Sequence, residues 1–231
     1  MKTAIKEIVD ILGARLILVL LLVFVVAFLL LFPLSEHFAA ARAQARLNTQ
    51  LQQQLEARSG MLSRHFALLK NDLSFLANLS SVTAIEGPLA SGATLDAAAR
   101  QRLEKDFLAY MEQREEVRQL RIISIVDEGL ERVRVDRLST GELWVVAEDE
   151  LQNKAHRDYY RDAVARDDDG VYASAINLNR ELGQVEMPLV PTLRLITPLF
   201  NAQQQKLGLL VLNLDFSFSE HLLNMDLPTE F

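Results

Sequence analysis

The 231-residue chain has no cysteine, so it forms no disulfide, offers no thiolate to a metal and carries no cysteine nucleophile. Histidine is scarce. His37, His65, His156 and His221 stand too far apart for any metal-ligand spacing. Basic runs are absent as well. After Ser35 the chain holds 21 Lys and Arg against 29 Asp and Glu, a net charge of about −8, which excludes a nucleic-acid partner for want of a basic face to neutralise phosphates. No serine elbow, histidine-paired nucleophile or metal set occurs, so the sequence reads as non-enzymatic and without a cofactor. The acidic run Asp167, Asp168, Asp169 and Gly170 lacks the spaced ligands and terminal Glu of a calcium loop and reads as a solvated turn.

What the chain does have is a long apolar run. Residues 16–34 are free of charge and built from Leu, Val, Ile, Phe and Ala up to Pro33. At about 1.5 Å per residue, roughly 19 residues span about 28 Å, close to the hydrocarbon thickness of a bilayer. Ala39, Ala40 and Ala41 resemble a signal-peptide processing site, but the run exceeds the roughly 7 to 15 apolar residues of a secretory signal, so a retained membrane helix is expected. Lys2, Lys6 and Arg15 in the short flank 1–15 hold that end in the cytoplasm and place everything after Ser35 outside. Without disulfides, the outer part depends on its apolar core. Its 197 residues suffice for one core and a helical stalk.

The stalk, residues 35–80, is rich in Ala, Gln, Leu and Arg and holds one glycine and no proline. Leu55, Leu62, Leu69 and Leu76 recur every seven residues, widened by Leu51, Phe66 and Leu73. The companion heptad position holds Arg58, His65 and Asp72, so the stripe should pack mainly on the domain, with some pairing to a second copy. Gly87, Pro88, Ser91 and Gly92 should break the helix. Thr94 or Asp96 then caps a helix carrying Leu103, Phe107, Leu108 and Met111. Strands are expected at 117–126, 131–138 and 143–147, a short helix at 150–165, and strands near 171–176, 193–199 and 208–216, the last two joined as a hairpin by 201–206. A final helix through His221, Leu222 and Leu223 follows Ser217 or Ser219. The order predicts an α+β domain at 94–216 with an antiparallel sheet, followed at 217–231 by the helix and the start of a continuation.

The last strand has two unlike faces. Leu210, Leu212, Leu214 and Phe216 share one; Leu209, Val211, Asn213 and Asp215 share the other and set an amide and a carboxylate side by side. Such a pair either caps a turn or floors a ligand pocket. Arg157 is either a structural cation or a ligand clamp, and Arg194 either aims at an anion or pairs with Glu186. Trp144 reads as half-buried packing.

The stretches LRIISIVDEGLERVRVDR, ELQNKAHRDYYRDAV, GVYASAINLNRELGQVEMPLVPTLRLITPLF and GLLVLNLDF, following an anchor and stalk, resemble the Cache sensory domains. These are PAS-like extracytoplasmic modules of histidine kinases, chemoreceptors and diguanylate cyclases. The resemblance covers about half of the chain and is to the membrane-distal module of the double-Cache type. It implies a bacterial inner-membrane receptor with a periplasmic sensor, continuing after about Asn224 into a second lobe and a return membrane helix. It also implies a ligand site made by Arg157, Tyr159, Tyr160 and Asn213, with Asp215 as a substitute in a shifted register. Tyr159 stands where the family has Trp, and Asn213 where it has the Asp that holds a ligand ammonium. A neutral amide pairs poorly with an ammonium, so the expected ligand is a small organic anion rather than a free amino acid. The alternatives are a membrane-anchored periplasmic scaffold that uses stalk and domain as contact surfaces, which small-molecule binding would distinguish, and, less favoured, a tethered periplasmic enzyme, which would need a nucleophile with a base or paired carboxylates in a cleft.

Two outcomes follow. A reporter active only outside the cytoplasm, fused after Phe231, should be active; activity of a cytoplasm-only reporter there reverses the orientation. The soluble part from about Ser35 should form weak parallel dimers in sedimentation, and charged residues at Leu55 and Leu62 should favour monomers. Monomers alone at high concentration would leave the stripe as intramolecular packing.

Overall fold

In the computed structural model, which describes residues 2–181, 183–217 and 219, the chain divides into two compact units, Met1–Ala57 and Arg58–Phe231. The first unit is helical. It holds most of α1 (Lys2–Ala77), whose stretch Arg15–Phe32 has a mean hydropathy of 3.2 and is unburied. Its apolar side chains face outward all round, as a helix solvated by lipid requires. Leu47, Leu51 and Leu55 farther along are also exposed, Leu55 by 67%.

The second unit begins with the last part of α1 and continues through α2 (Ser80–Thr83), α3 (Glu86–Ser91) and α4 (Ala97–Glu112). Gly87 and Pro88 do not break the chain as the sequence suggests. They lie in the first turn of α3, where proline's missing N–H costs nothing, and the stop falls at Gly92, whose φ of +67° suits glycine. Asp96 caps α4 by accepting from the backbone N–H of Ala98 and Ala99, both at 3.0 Å.

The sheet follows: β1 (Val117–Ser124), β2 (Glu131–Arg137), β3 (Leu143–Val145), then a turn at Glu148–Glu150, α5 (Asp158–Ala165), β4 (Tyr172–Ala173), β5 (Asn177–Leu178), β6 (Arg180–Glu181), β7 (Gln184–Val185), β8 (Pro191–Phe200) and β9 (Lys206–Asp215). Its order is β3-β2-β1-β9-β8-β4, antiparallel throughout, with β5 also paired to β8. β6 and β7 form a separate small hairpin. The α+β class and the β8–β9 hairpin agree with expectation. The short strands β5, β6 and β7 had no alternating pattern to announce them, and the expected helix at 150–165 is confined to its second half. The expected helix after Ser219 lies outside the described residues.

The larger core fills one face of the sheet. Leu120 and Ile122 of β1, Val133 and Val135 of β2, Leu193 and Leu195 of β8, and Leu210, Leu212 and Leu214 of β9 meet Leu103, Phe107 and Met111 of α4 and Leu69, Leu73 and Leu76 of α1. Two of the residues that interrupt the heptad pattern, His65 and Asp72, have partners within this unit. His65 reaches Glu116 at 3.3 Å, and Asp72 accepts from Arg114 at 2.8 Å and Tyr110 at 3.3 Å. From Phe66 onward the stripe therefore packs on its own domain, and Phe66 stacks on Phe216.

Candidate ligand-binding site

The opposite face of the sheet is apolar at one end and charged at the other. Cross-strand neighbours share a face, so the register of β9 with β1 and β8 groups Leu209 with Ile123, Val211 with Arg121 and Ile196, and Asn213 with Gln119 and Arg194. Ile123, Ile196, Leu209 and Val211 form a second core with Tyr159, Tyr160 and Ala163 of α5. Beyond it two arginines, Arg121 and Arg194, flank β9 from either side, each 1% exposed.

Arg121 is well matched. It donates to Glu131 Oε1 at 2.9 Å and to Asn213 Oδ1 at 3.2 Å. Glu131 also receives the backbone N–H of Gln152 at 3.0 Å. Glu181, carried in by β6, accepts from Arg134 at 2.9 Å, Gln119 at 3.0 Å and Lys154 at 3.1 Å. Arg134 further grips Asp136 with two bonds, at 2.6 and 2.8 Å. Lys154 reaches the cluster because Gly129, at φ +91°, lets the 152–155 segment come close; a Cβ there would stand 2.6 Å from Ala155 N. Arg121, Arg134 and Lys154 thus face Glu131, Glu181 and Asp136, three cations against three carboxylates. Burial opposes the charges on Glu131 and Glu181, but Arg121, Arg134 and Lys154 together overcome it and hold both carboxyls below their ordinary range. For Asp136 burial wins and raises the carboxyl.

Arg194 has no such match. Its hydrogen-bond partners are neutral, the amide oxygens of Asn177 at 2.7 Å and Asn179 at 3.1 Å, and no carboxylate lies within ion-pairing distance among the described residues. Burial, then the neighbouring Arg121, pulls its guanidinium down to about 10, still charged at neutral pH. Tyr159 lies beneath both arginines, its ring centre 4.8 Å from Arg194 and 5.7 Å from Arg121. A desolvated cation over such a ring gains about 2 kcal/mol, less than a missing counter-ion costs. Among the described residues, three buried polar atoms around this ring have no hydrogen-bond partner: Arg121 Nε, Arg194 Nε and the Tyr159 hydroxyl. Each costs about 1 to 3 kcal/mol if left so.

The five residues expected from the sequence divide. Arg157 precedes α5 and, half-buried, lines a groove of about 320 Å³ together with His156, Asp158, Tyr159, Asn177, Leu178 and Arg180. No carboxylate pairs with Arg157 among the described residues. Asn213 is buried and does not line the groove; it holds Arg121 and donates to Gln119. Tyr160 packs in the apolar second core. Asp215 caps the turn that follows β9, accepting from the Ser217 backbone N–H and hydroxyl, the capping alternative considered for a polar strand end. Arg194 does not pair with Glu186, which binds Arg118 and Asn179 instead. Sequence reasoning missed Arg121 and Glu181 and left Arg194 undecided. A lone arginine inside an otherwise apolar strand, as in LRIIS and LRLIT, was the available signal. Trp144, expected to be half-buried, is 53% exposed.

Residues 89–231 match the family model of the bacterial histidine kinase sensor domain. The chain belongs to this family. Comparison with curated proteins gave no match. Among solved structures, the sensor domain is similar to a domain of a protein assigned to the sensory box/GGDEF family of Vibrio parahaemolyticus, at 24% identity and a TM-score of 0.64 over 75% of this chain and 62% of that one. It is also similar to the V. cholerae histidine kinase DctB sensor domain, at 20% and 0.51 over 78% and 60%. A third match is the ligand-binding domain of the Campylobacter jejuni chemoreceptor Tlp3 in complex with L-valine, at 10% and 0.51 over 75% and 62%. Identities this low establish a shared fold, that of the Cache-type sensor domains. The chain spans about three fifths of the length of each of these solved domains.

The sensor domain's charge cluster has a measurable acid signature. The depressed carboxyl of Glu181 supplies stability that is complete above its ordinary value of 4.5 and is lost as the pH falls below it. Glu181→Gln should cost about 1.5 to 3 kcal/mol at pH 7, with the difference from the parent shrinking as urea denaturation is repeated at successively lower pH. An equal cost at every pH would show that its charge contributes nothing.

Proposed function

We propose that this domain is the extracytoplasmic input module of a transmembrane signalling receptor and that it reads a small organic anion bound between the start of α5 and Arg194. One observation carries this: among the described residues Arg194 is a buried cation with neutral partners only, and its unpaired Nε shares the Tyr159 ring with two more unpaired donors. A carboxylate placed among them would supply the missing charge and accept the free bonds. Arg157, half-buried on the wall of the groove that Tyr159 also lines, is the outer clamp. Asn213 acts through Arg121, which it orients.

Membership of a sensor-domain family and an unburied apolar helix of membrane length support a single-pass membrane protein. The flanking Lys2, Lys6 and Arg15 support a cytoplasmic N-terminus. Output then belongs to a module of the histidine kinase, cyclase or chemoreceptor type. Pairing of two copies along the exposed Leu47, Leu51 and Leu55 of α1 is part of the same proposal. A scaffold role gives no reason for an uncompensated cation over a tyrosine ring.

The test is a thermal-shift screen of carboxylates on the full chain in detergent micelles. A ligand at a hundred times its Kd should stabilise the parent by about 2.7 kcal/mol. Arg194→Met should remove that response, a loss of about 2 to 5 kcal/mol, or roughly thirtyfold to several thousandfold in affinity. It should leave ligand-free stability within about 1 kcal/mol, because discarding an uncompensated buried charge offsets two lost amide contacts. If Arg194→Met still binds, or unfolds the ligand-free domain, Arg194 is not the ligand anchor and the proposal fails.

A further inference from the structure

The face of the sheet away from α5 carries a cavity of its own, of about 340 Å³, where the end of α1 and the residues of α3 meet the β8–β9 hairpin. Alternation along β8 puts Thr197 and Leu199 on this face and Arg194 and Ile196 on the other. The sheet therefore lies between this cavity and the arginine pair. Leu89 of α3, Leu199 of β8 and Leu207 of β9, all buried, give the cavity an apolar floor. Its charged groups are of one sign. Glu86 and Asp169 line it, and no Lys, Arg or His does. Neither carboxylate has a side-chain hydrogen bond or ion pair among the described residues, whereas Asp168, in the same turn as Asp169, is held by Arg166. Carboxylates at a surface are commonly just solvated, and Glu86 suits the first turn of a helix in any case. Thr197 is the feature that solvation of a surface does not cover. It is 4% exposed and lines the cavity, and its hydroxyl has no hydrogen-bond partner among the described residues. A hydroxyl this deep is costly to leave unmatched. A water would answer the hydroxyl alone; a positively charged group with several donors answers the hydroxyl and both carboxylates.

We infer that this cavity is a second ligand site, for a small organic cation of the alkylammonium class. An ammonium has three donors and no acceptor, which matches two carboxylates and a hydroxyl. The carbon chain lies on Leu89, Leu199 and Leu207, and about 340 Å³ accommodates a short amine. A metal ion fits less well. Hard cations take about six to eight oxygen ligands, and no group of three His, Asp or Glu side chains placed to hold a metal occurs among the described residues. Ser74, Ala77 and Asn78 of α1 line the same cavity, so its occupant touches the long helix and the hairpin at once and binds them together. The site owes nothing to Arg194 or to the groove at α5, and stands or falls apart from them.

The full chain in detergent micelles is titrated at neutral pH with n-butylamine, putrescine, n-butanol and calcium chloride, binding being followed calorimetrically. One of the two amines should bind saturably and roughly tenfold or more tightly than the neutral alcohol. Butylamine as the tighter ligand means that the two carboxylates share one ammonium; putrescine as the tighter means that each takes its own. Glu86→Gln and Asp169→Asn should each weaken the preferred amine by roughly tenfold, and Thr197→Val by a smaller factor. All three are close in shape to the parent residue and should leave the melting temperature of the ligand-free chain unchanged. Glu112→Gln, which removes an exposed carboxylate outside the cavity, should leave amine binding as it was. The inference is overturned by amines that bind no more tightly than butanol, by calcium binding where neither amine binds, or by amine binding that survives both carboxylate substitutions. A loss that Glu112→Gln reproduces reduces the effect to net charge and overturns it as well.

Discussion

Two guanidinium groups share one tyrosine ring beneath α5, and among the described residues only one of them has a carboxylate. Like charges this close in a desolvated site repel strongly, so the arrangement survives because its surroundings are tightly built. Glu131 neutralises Arg121, Asn213 fixes its far side, and Asn177 and Asn179 hold Arg194 by dipoles rather than charge. Neutral acceptors orient a cation without satisfying its field. That leaves the Arg194 field unbalanced by any carboxylate among the described residues, the feature on which the proposed anion site rests.

The polar half of that face exists because the apolar half anchors it. Ile123, Ile196, Leu209 and Val211 bind α5 to the sheet through Tyr160 and Ala163, and this seats Tyr159 under the arginines. Burial of side chains of this size is worth about 1.5 to 3 kcal/mol each, enough to offset the desolvation of charged neighbours on the same strands. Tyr160 and Tyr159 are adjacent in sequence yet contribute differently, the first to packing and the second to the charged end. Glu181 performs the matching task from the other side: it ties β6 to β1, β2 and the 152–155 segment through Gln119, Arg134 and Lys154.

β9 is where the site and the helical side of the domain meet. Its residues alternate between Leu210, Leu212 and Leu214, packed in the core that contains Leu69, Leu73 and Leu76 of α1, and Leu209, Val211 and Asn213 on the opposite face. A protein interior this densely packed transmits displacement. Asn213 thus lies on the same strand as the leucines packed against the last turns of the long helix.

The chain's pattern alone determined the membrane helix, the long amphipathic helix, the α+β order and the two-faced last strand, because each depends on periodicity or composition within a short window. The resemblance carried by RDYY named Arg157 and Tyr159, both of which line the groove at the start of α5. Tertiary structure decided the rest. Arg121, Glu131, Glu181 and Arg194 lie up to 73 residues apart, and only strand register brings them onto one face. Asn213 and Asp215 looked equivalent in sequence, yet a strand end leaves Asp215 beside a turn that needs a cap, while Asn213 lies buried between Gln119 and Arg194. Whether a buried charge is balanced is a sum over all its neighbours in space. No local stretch of sequence contains that sum.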